Sequence, residues 1–142
     1  MRPAGDEGDW QNAMTVKYVS TDRAPAAIGP YSQAVAAGGF LFASGQIPLA
    51  ADGSMVEGDA AAQARQVFSN ITEVLAAGGA RLSDVVKATV FLVDMADFGQ
   101  VNSVYEQAFA GHRPARSTVA VAALPRGAQV EIEVIALAPG ER

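Results

Sequence analysis

Apolar side chains recur along this chain with two different periods. Over residues 59–77 they return every three to four positions. Ala64, Val67, Phe68, Ile71, Val74 and Leu75 form one stripe, the spacing of an amphipathic helix. Asp59 is placed to cap that helix and Gly78-Gly79 to end it. A second helix is predicted after Asp94 or Asp97, carrying Phe98, Val101, Val104, Tyr105, Ala108 and Phe109 up to Gly111. Between the helices, residues 85–93 are β-branched and nearly all apolar, and read as a buried strand. Ahead of them, residues 32–37 and 40–44 read as strands divided by the turn signal Gly38-Gly39.

Toward the C-terminus the period becomes two. Residues 117–124 and 129–137 are strand-like runs, and Leu124-Pro-Arg-Gly-Ala128 between them suits a hairpin connection. Alternation puts Val119, Val121 and Ala123 on one face of the first run. Val130, Ile132 and Val134 fall on one face of the second. In a hairpin these six share one apolar surface against the helices. The opposite face then carries Arg116, Thr118, Ala120 and Ala122, with Glu131, Glu133 and Ile135. The predicted order, β-β-α-β-α-β-β, is a two-layer α+β fold: a mixed β-sheet with two helices on one face. The other sheet face stays open. An apolar open face is an association site, so an oligomer packed through it is expected.

Residues 1–15 show no periodicity and read as a flexible N-terminal extension, with Met14 as an alternative start and Trp10 outside the core. Residues 16–142 are then one domain. Residues 22–31, with two prolines and a glycine, read as loop.

Half of the 142 residues are hydrophobic and 18% are charged, the balance of a globular chain. Net charge is −5, and the ten Lys and Arg form no basic run, which disfavours a nucleic-acid partner. The chain has no cysteine, which removes disulfides, thiol catalysis and Cys-ligated zinc and fits the cytoplasm. With His112 as the one histidine, a His-rich metal site and a His-dependent triad are both disfavoured. No apolar run approaches the roughly 20 residues of a membrane helix. The polar, acidic N-terminus does not read as a secretory signal.

Few residues offer chemistry. Arg116, just after Pro114, has the fork that binds a carboxylate bidentately; a surface ion pair is the plainer use of the same group. Glu131 or Glu133 can position or deprotonate a water, or pair across an oligomer interface. Tyr31, Ser44 and Asn102 are polar groups beside glycines or in predicted helix. Gly45 permits close backbone approach, and His112 lies in a loop. With Leu124 opposite Gln129, Arg116 and Glu131 share a face but stand roughly 20 Å apart along the sheet. Either the register differs, or the strands are not neighbours, or the pocket draws on two chains.

Seven stretches, in order, carry a resemblance. They are Ala24-Pro-Ala-Ala-Ile-Gly-Pro-Tyr-Ser-Gln33, Ser44-Gly-Gln-Ile-Pro48, Gln63-Ala-Arg-Gln-Val67, Asp84-Val-Val-Lys-Ala-Thr-Val-Phe-Leu92, Val101-Asn-Ser-Val-Tyr105, Pro114-Ala-Arg-Ser117 and Val130-Glu-Ile-Glu-Val-Ile-Ala136. Together they resemble the RidA/YjgF family of reactive intermediate deaminases, over nearly everything from about residue 17 onward. The resemblance implies a chorismate-mutase-like fold and a homotrimer, with sheets packed into a central barrel and pockets between subunits. It implies hydrolysis of 2-imino acids and their enamine tautomers, such as 2-iminobutanoate and 2-iminopropanoate, to 2-oxo acids and ammonia. No metal or organic cofactor is implied.

Carried over by position, Arg116 looks like the arginine that grips the substrate carboxylate. Glu131 looks like the acid that positions water. Tyr31, Ser44, Gly45 and Asn102 match pocket-lining residues. Thr118 matches a position that is often cysteine, where the backbone contacts substrate. Two other readings stay open: a regulator that binds 2-oxo acids or amino acids without turnover, and an endoribonuclease or translation inhibitor, which the acidic balance disfavours.

Overall fold

The computed structural model describes residues 15–138. Apart from Thr15, the predicted extension, with Trp10 and Met14, lies outside the described residues. The chain runs β1 (Lys17–Val19), β2 (Ala34–Ala37), β3 (Phe40–Gln46), α1 (Ala60–Ala77), β4 (Val85–Leu92), α2 (Phe98–Phe109), β5 (Ala115–Ala120) and β6 (Val130–Leu137).

α1 forms as its stripe predicts. Asp59 Oδ1 accepts the Ala62 N–H at 2.9 Å, and Ala64, Val67, Phe68, Ile71, Val74 and Leu75 are all buried. Of the two cap candidates ahead of α2, only Asp94 caps with its side chain. Asp94 caps a 3-10 turn, Met95–Asp97, by accepting from Ala96 N–H at 2.9 Å, and Asp97 is the N-cap of the helix itself. β1 escapes the sequence pattern because it has three residues, of which only Val19 is buried. A run that short cannot display a period.

The sheet order is β1-β2-β3-β6-β4-β5. β4 and β5 are parallel and the other neighbours antiparallel. The predicted hairpin between the last two strands does not form, because β4 lies between them. The connecting segment crosses the end of β4, where Val121 N–H donates to Leu92 O at 2.8 Å and Val93 N–H to Gln129 O at 3.4 Å. Pro125–Gly127 makes a single 3-10 turn there, with Arg126 at φ 58°.

This topology corrects the predicted faces. β6 behaves as expected: Val130, Ile132, Val134 and Ala136 are buried under the helices. β5 is reversed. Arg116 pairs with Ala88, Thr118 with Val90 and Ala120 with Leu92, so they share the helix side with those buried residues. Val119 and Ser117 share the open side with Phe91 and Thr89. The reason is that alternation is written within a strand, whereas which parity points inward is set by what covers it. On an edge strand of small residues little apolar burial is at stake, so the phase is weakly specified.

The core lies between the sheet and both helices, with Leu41, Ile71, Leu75, Leu92 and Ile132 fully buried. Each contributes roughly 1.5–3 kcal/mol. Phe68 of α1 meets Tyr105 and Phe109 of α2 edge-on, at centroid separations of 5.8 and 5.6 Å. On the open side, Phe40, Phe42, Val119 and Leu137 are exposed beside Ile135. An apolar sheet face of this kind invites association. No helix among the described residues is long and apolar enough to cross a membrane.

Candidate active site

The residues singled out from sequence gather into two groups on opposite faces of the sheet. The first group surrounds Glu131. Ala43 pairs with Val134 and Gln46 with Ile132, so Ser44 and Gly45 together oppose Glu133 in a bulge. Bulges re-aim the strand and its side chains locally. Here the missing side chain of Gly45 leaves room for the Glu131 carboxyl. A Cβ at position 45 would stand 2.9 Å from Glu131 Cδ and closer still to Oε2.

Glu131 is half-buried. Burial raises its carboxyl pKa above the usual 4.5, and the neighbouring charge of Glu133 raises it further. Ser44 is held on both sides: its Oγ donates to Ser32 O at 2.6 Å and its N–H to Gln33 O at 3.0 Å. Tyr31 is exposed on the rim of a cavity of about 330 Å³, which Ile28, Gln33, Gly45, Ile47 and Arg126 also line. Sequence reasoning missed two of these as wall-builders. Gln33 was visible only as part of a motif. Arg126 was hidden in a turn, where its guanidinium donates to Gly53 O at 2.9 Å and closes the far wall.

Gly45→Ala tests the seat. The added methyl must displace the carboxyl by a fraction of an ångström or more, so kcat for the reaction proposed below is expected to fall about tenfold to a hundredfold with the fold retained. Steady-state kinetics beside circular dichroism check this, and an unimpaired kcat would mean that the position of Glu131 does not matter.

The second group surrounds Arg116. Its guanidinium donates to Asn102 Oδ1 at 2.6 Å and lies over the rings of Tyr105, at 4.7 Å, and Phe98, at 5.6 Å. Two aromatic faces and one amide thus orient the fork at the rim of a cavity of about 570 Å³, lined also by Glu106, His112 and Arg113. The observed partner of Asn102 is therefore the arginine. Thr118 follows Arg116 on the same face, and its hydroxyl, like that of Tyr105, is buried without a hydrogen-bond partner. Burial raises the Tyr105 hydroxyl pKa, and the Arg116 charge opposes that shift. His112 braces the fold. Its Nε2 lies 2.7 Å from Val85 O, an acceptor, so that nitrogen carries the proton and donates.

Arg116 and Glu131 do not meet. Arg116 is level with Ala88 on β4 and hence with Val134 on β6. Glu131 stands two strand spacings across, about 10 Å, and three residues along, about 10 Å more. It also points to the other face. Within one chain the Arg116 group and the Glu131 group are aimed in different directions. Among the described residues no cluster of three or more His, Asp or Glu is placed to hold a metal ion.

The chain has clear relatives. A family model described as Endoribonuclease L-PSP matches residues 21–138. Protein DfrA of Myxococcus xanthus is 54% identical over 127 residues, covering 87% of this chain and 97% of that protein. A Mus musculus protein named 2-iminobutanoate/2-iminopropanoate deaminase is 50% identical over 122 residues, covering 85% of this chain and 90% of its own length. The crystal structure of yeast Mmf1 superposes with a TM-score of 0.86 at 45% identity, covering 90% of this chain and 100% of that one. By its ordered motifs, its fold and these relatives, the chain belongs to the RidA/YjgF family.

Proposed function

We propose that the protein hydrolyses 2-imino acids, with 2-iminobutanoate and 2-iminopropanoate as representative substrates, to 2-oxo acids and ammonia. Relatives about half identical carry the name of that reaction. Within the chain, the observation that carries the reading is the half-buried Glu131 carboxylate seated on Gly45 with its pKa raised. A base of that kind suits water activation nearer neutral pH than an ordinary glutamate does.

In the proposed reaction Arg116 binds the substrate carboxylate, with Asn102 and two aromatic rings holding the guanidinium in place. Glu131 accepts a proton from water as its oxygen bonds to the imine carbon. The proton passes to nitrogen, the hydroxyl proton of the carbinolamine follows it by way of Glu131 as the C–N bond breaks, and ammonia leaves with the 2-oxo acid formed. Tyr31, Ser44, Gly45 and the backbone at Thr118 line the pocket. The imine carbon is already electrophilic, so orientation supplies much of the rate.

Since the two halves face apart within one chain, the complete pocket takes Arg116 from one copy and Glu131 from another. The proposed assembly is a homotrimer joined through the open sheet face. The proposed compartment is the cytoplasm.

The test generates the imine in situ with a dehydratase and traps the survivor with semicarbazide. Wild type is expected to suppress the trapped imine. Arg116→Ala, verified as folded and oligomeric, is expected to lose about a hundredfold in kcat/KM, since breaking a charged hydrogen-bonded pair costs about 3 kcal/mol. Wild type that leaves the trapped imine untouched would end the deaminase reading and turn attention to calorimetric binding of 2-oxo acids.

A further inference from the structure

We infer that Gln33 is a positioning residue of this site, acting through Tyr31; the inference rests on the function proposed above. Gln33 is 3% exposed and spends its whole amide on one loop. Its Oε1 accepts the Thr21 N–H at 2.6 Å. Its Nε2 donates to Thr21 O at 3.0 Å and Pro25 O at 2.8 Å, with Ala24 O at 3.5 Å. Its own carbonyl accepts the Ser44 N–H, beside Gly45. One residue therefore links the loop that carries Tyr31 to the bulge that seats Glu131, and it lines the cavity that Tyr31 and Gly45 also line.

The loop has no regular element of its own over residues 21–31. The Gln33 amide takes the place that a ladder would fill. Filling the core does not require it: Met has similar volume and leaves no polar atoms to satisfy. Nor does the loop return much burial. Ala24 enters the core, while Ile28 and Tyr31 are 88% and 54% exposed. A buried amide with all its bonds directed at a segment whose large side chains stay outside is explained by a need to place those side chains.

The consequence is specific. Gln33→Met keeps the volume and removes the bonds. Thr21 and Pro25 are not fully buried, so their freed groups can hydrate and the loop can loosen while the sheet persists. Tyr31 then loses its fixed place. A wall residue binds substrate about equally in the ground and transition states, so its loss raises KM more than it lowers kcat.

The experiment is a double-mutant cycle: wild type, Gln33→Met, Tyr31→Ala and the pair, each confirmed as folded and in the wild-type oligomer. Both single variants are expected to raise KM about tenfold with kcat within about threefold, and the double variant to be no worse than Tyr31→Ala alone. Losses that multiply, or a fall in kcat at unchanged KM, would overturn the inference. Gln33→Glu, which keeps the acceptor for Thr21 N–H and loses the donors, runs alongside with the same expectation, so a poorly folding Met variant does not end the test. Absence of turnover in wild type would refute the deaminase reading alone. The cycle is then read on calorimetric binding of 2-oxobutanoate, where the same non-additivity is expected and additivity would again overturn the role.

Discussion

Mixing Arg116→Ala with Glu131→Gln, each nearly inactive alone, is expected to restore imine hydrolysis to about a quarter of the wild-type rate once subunits exchange. The expectation follows from the opposed halves of the site. Arg116 stands on the helix side of edge strand β5, and Glu131 on the open side near the β3 bulge. If the pocket forms where one copy meets the next, a mixed boundary joins the intact arginine of one variant to the intact glutamate of the other. Random exchange places the Glu131 variant on the arginine side in about half the boundaries and the Arg116 variant on the glutamate side in about half of those. A pocket within one chain would recover nothing, because every chain lacks one member. Trapped-imine rates before and after exchange, with native mass spectrometry to prove mixing, decide the matter. Mixed oligomers without recovered activity would exclude the shared pocket.

Glu131→Gln is expected to reduce kcat by a factor of about 10²–10⁴, the usual worth of a positioned acid or base. The same substitution is expected to raise stability at pH 7. In the folded chain burial, and then the Glu133 charge, raise the Glu131 pKa above its unfolded value near 4.5, so folding disfavours the ionised form. The contribution of Glu131 to stability is therefore fully present below the unfolded pKa and is lost as pH rises through the raised folded one. Glutamine carries no charge and escapes that loss. Thermal unfolding at pH 7 and again near pH 4 should show the variant's advantage shrinking in acid. The wild-type kcat/KM profile should fall on an acid limb displaced above the ordinary glutamate range. A variant that keeps its kcat would remove Glu131 from the mechanism. One that is less stable at pH 7 than wild type would mean that its carboxylate is held by favourable contacts instead.

Much of the architecture was legible because helices and single strands are local. The α1 stripe from Ala64 to Leu75, the Asp59 cap and the inward phase of Val130, Ile132 and Val134 all follow from residue spacing and are found as expected. The candidate residues stand out only through ordered motifs: taken singly, Arg116 reads more simply as an ion pair, and Glu131 reads equally as an ion pair or as chemistry. Gln33 and Arg126 were not legible as wall-builders, because their roles depend on backbone carbonyls at Pro25 and Gly53 that no pattern brings near them.

The hairpin expectation shows where local reading ends. Leu124-Pro-Arg-Gly-Ala128 has every breaker a tight turn needs, and alternation within each flanking strand is real. β4 nevertheless inserts between them, and β5 takes the opposite phase. Spacing along the chain accounts for the two helices, the strands long enough to show a period and a sheet face left uncovered. The opposed directions of Arg116 and Glu131 come from tertiary structure alone, and the proposal of a pocket shared between copies rests on them. The physical reason is that side-chain alternation is a property of one strand's backbone. Strand neighbours and inward phase are set by burial gained between segments far apart in the chain.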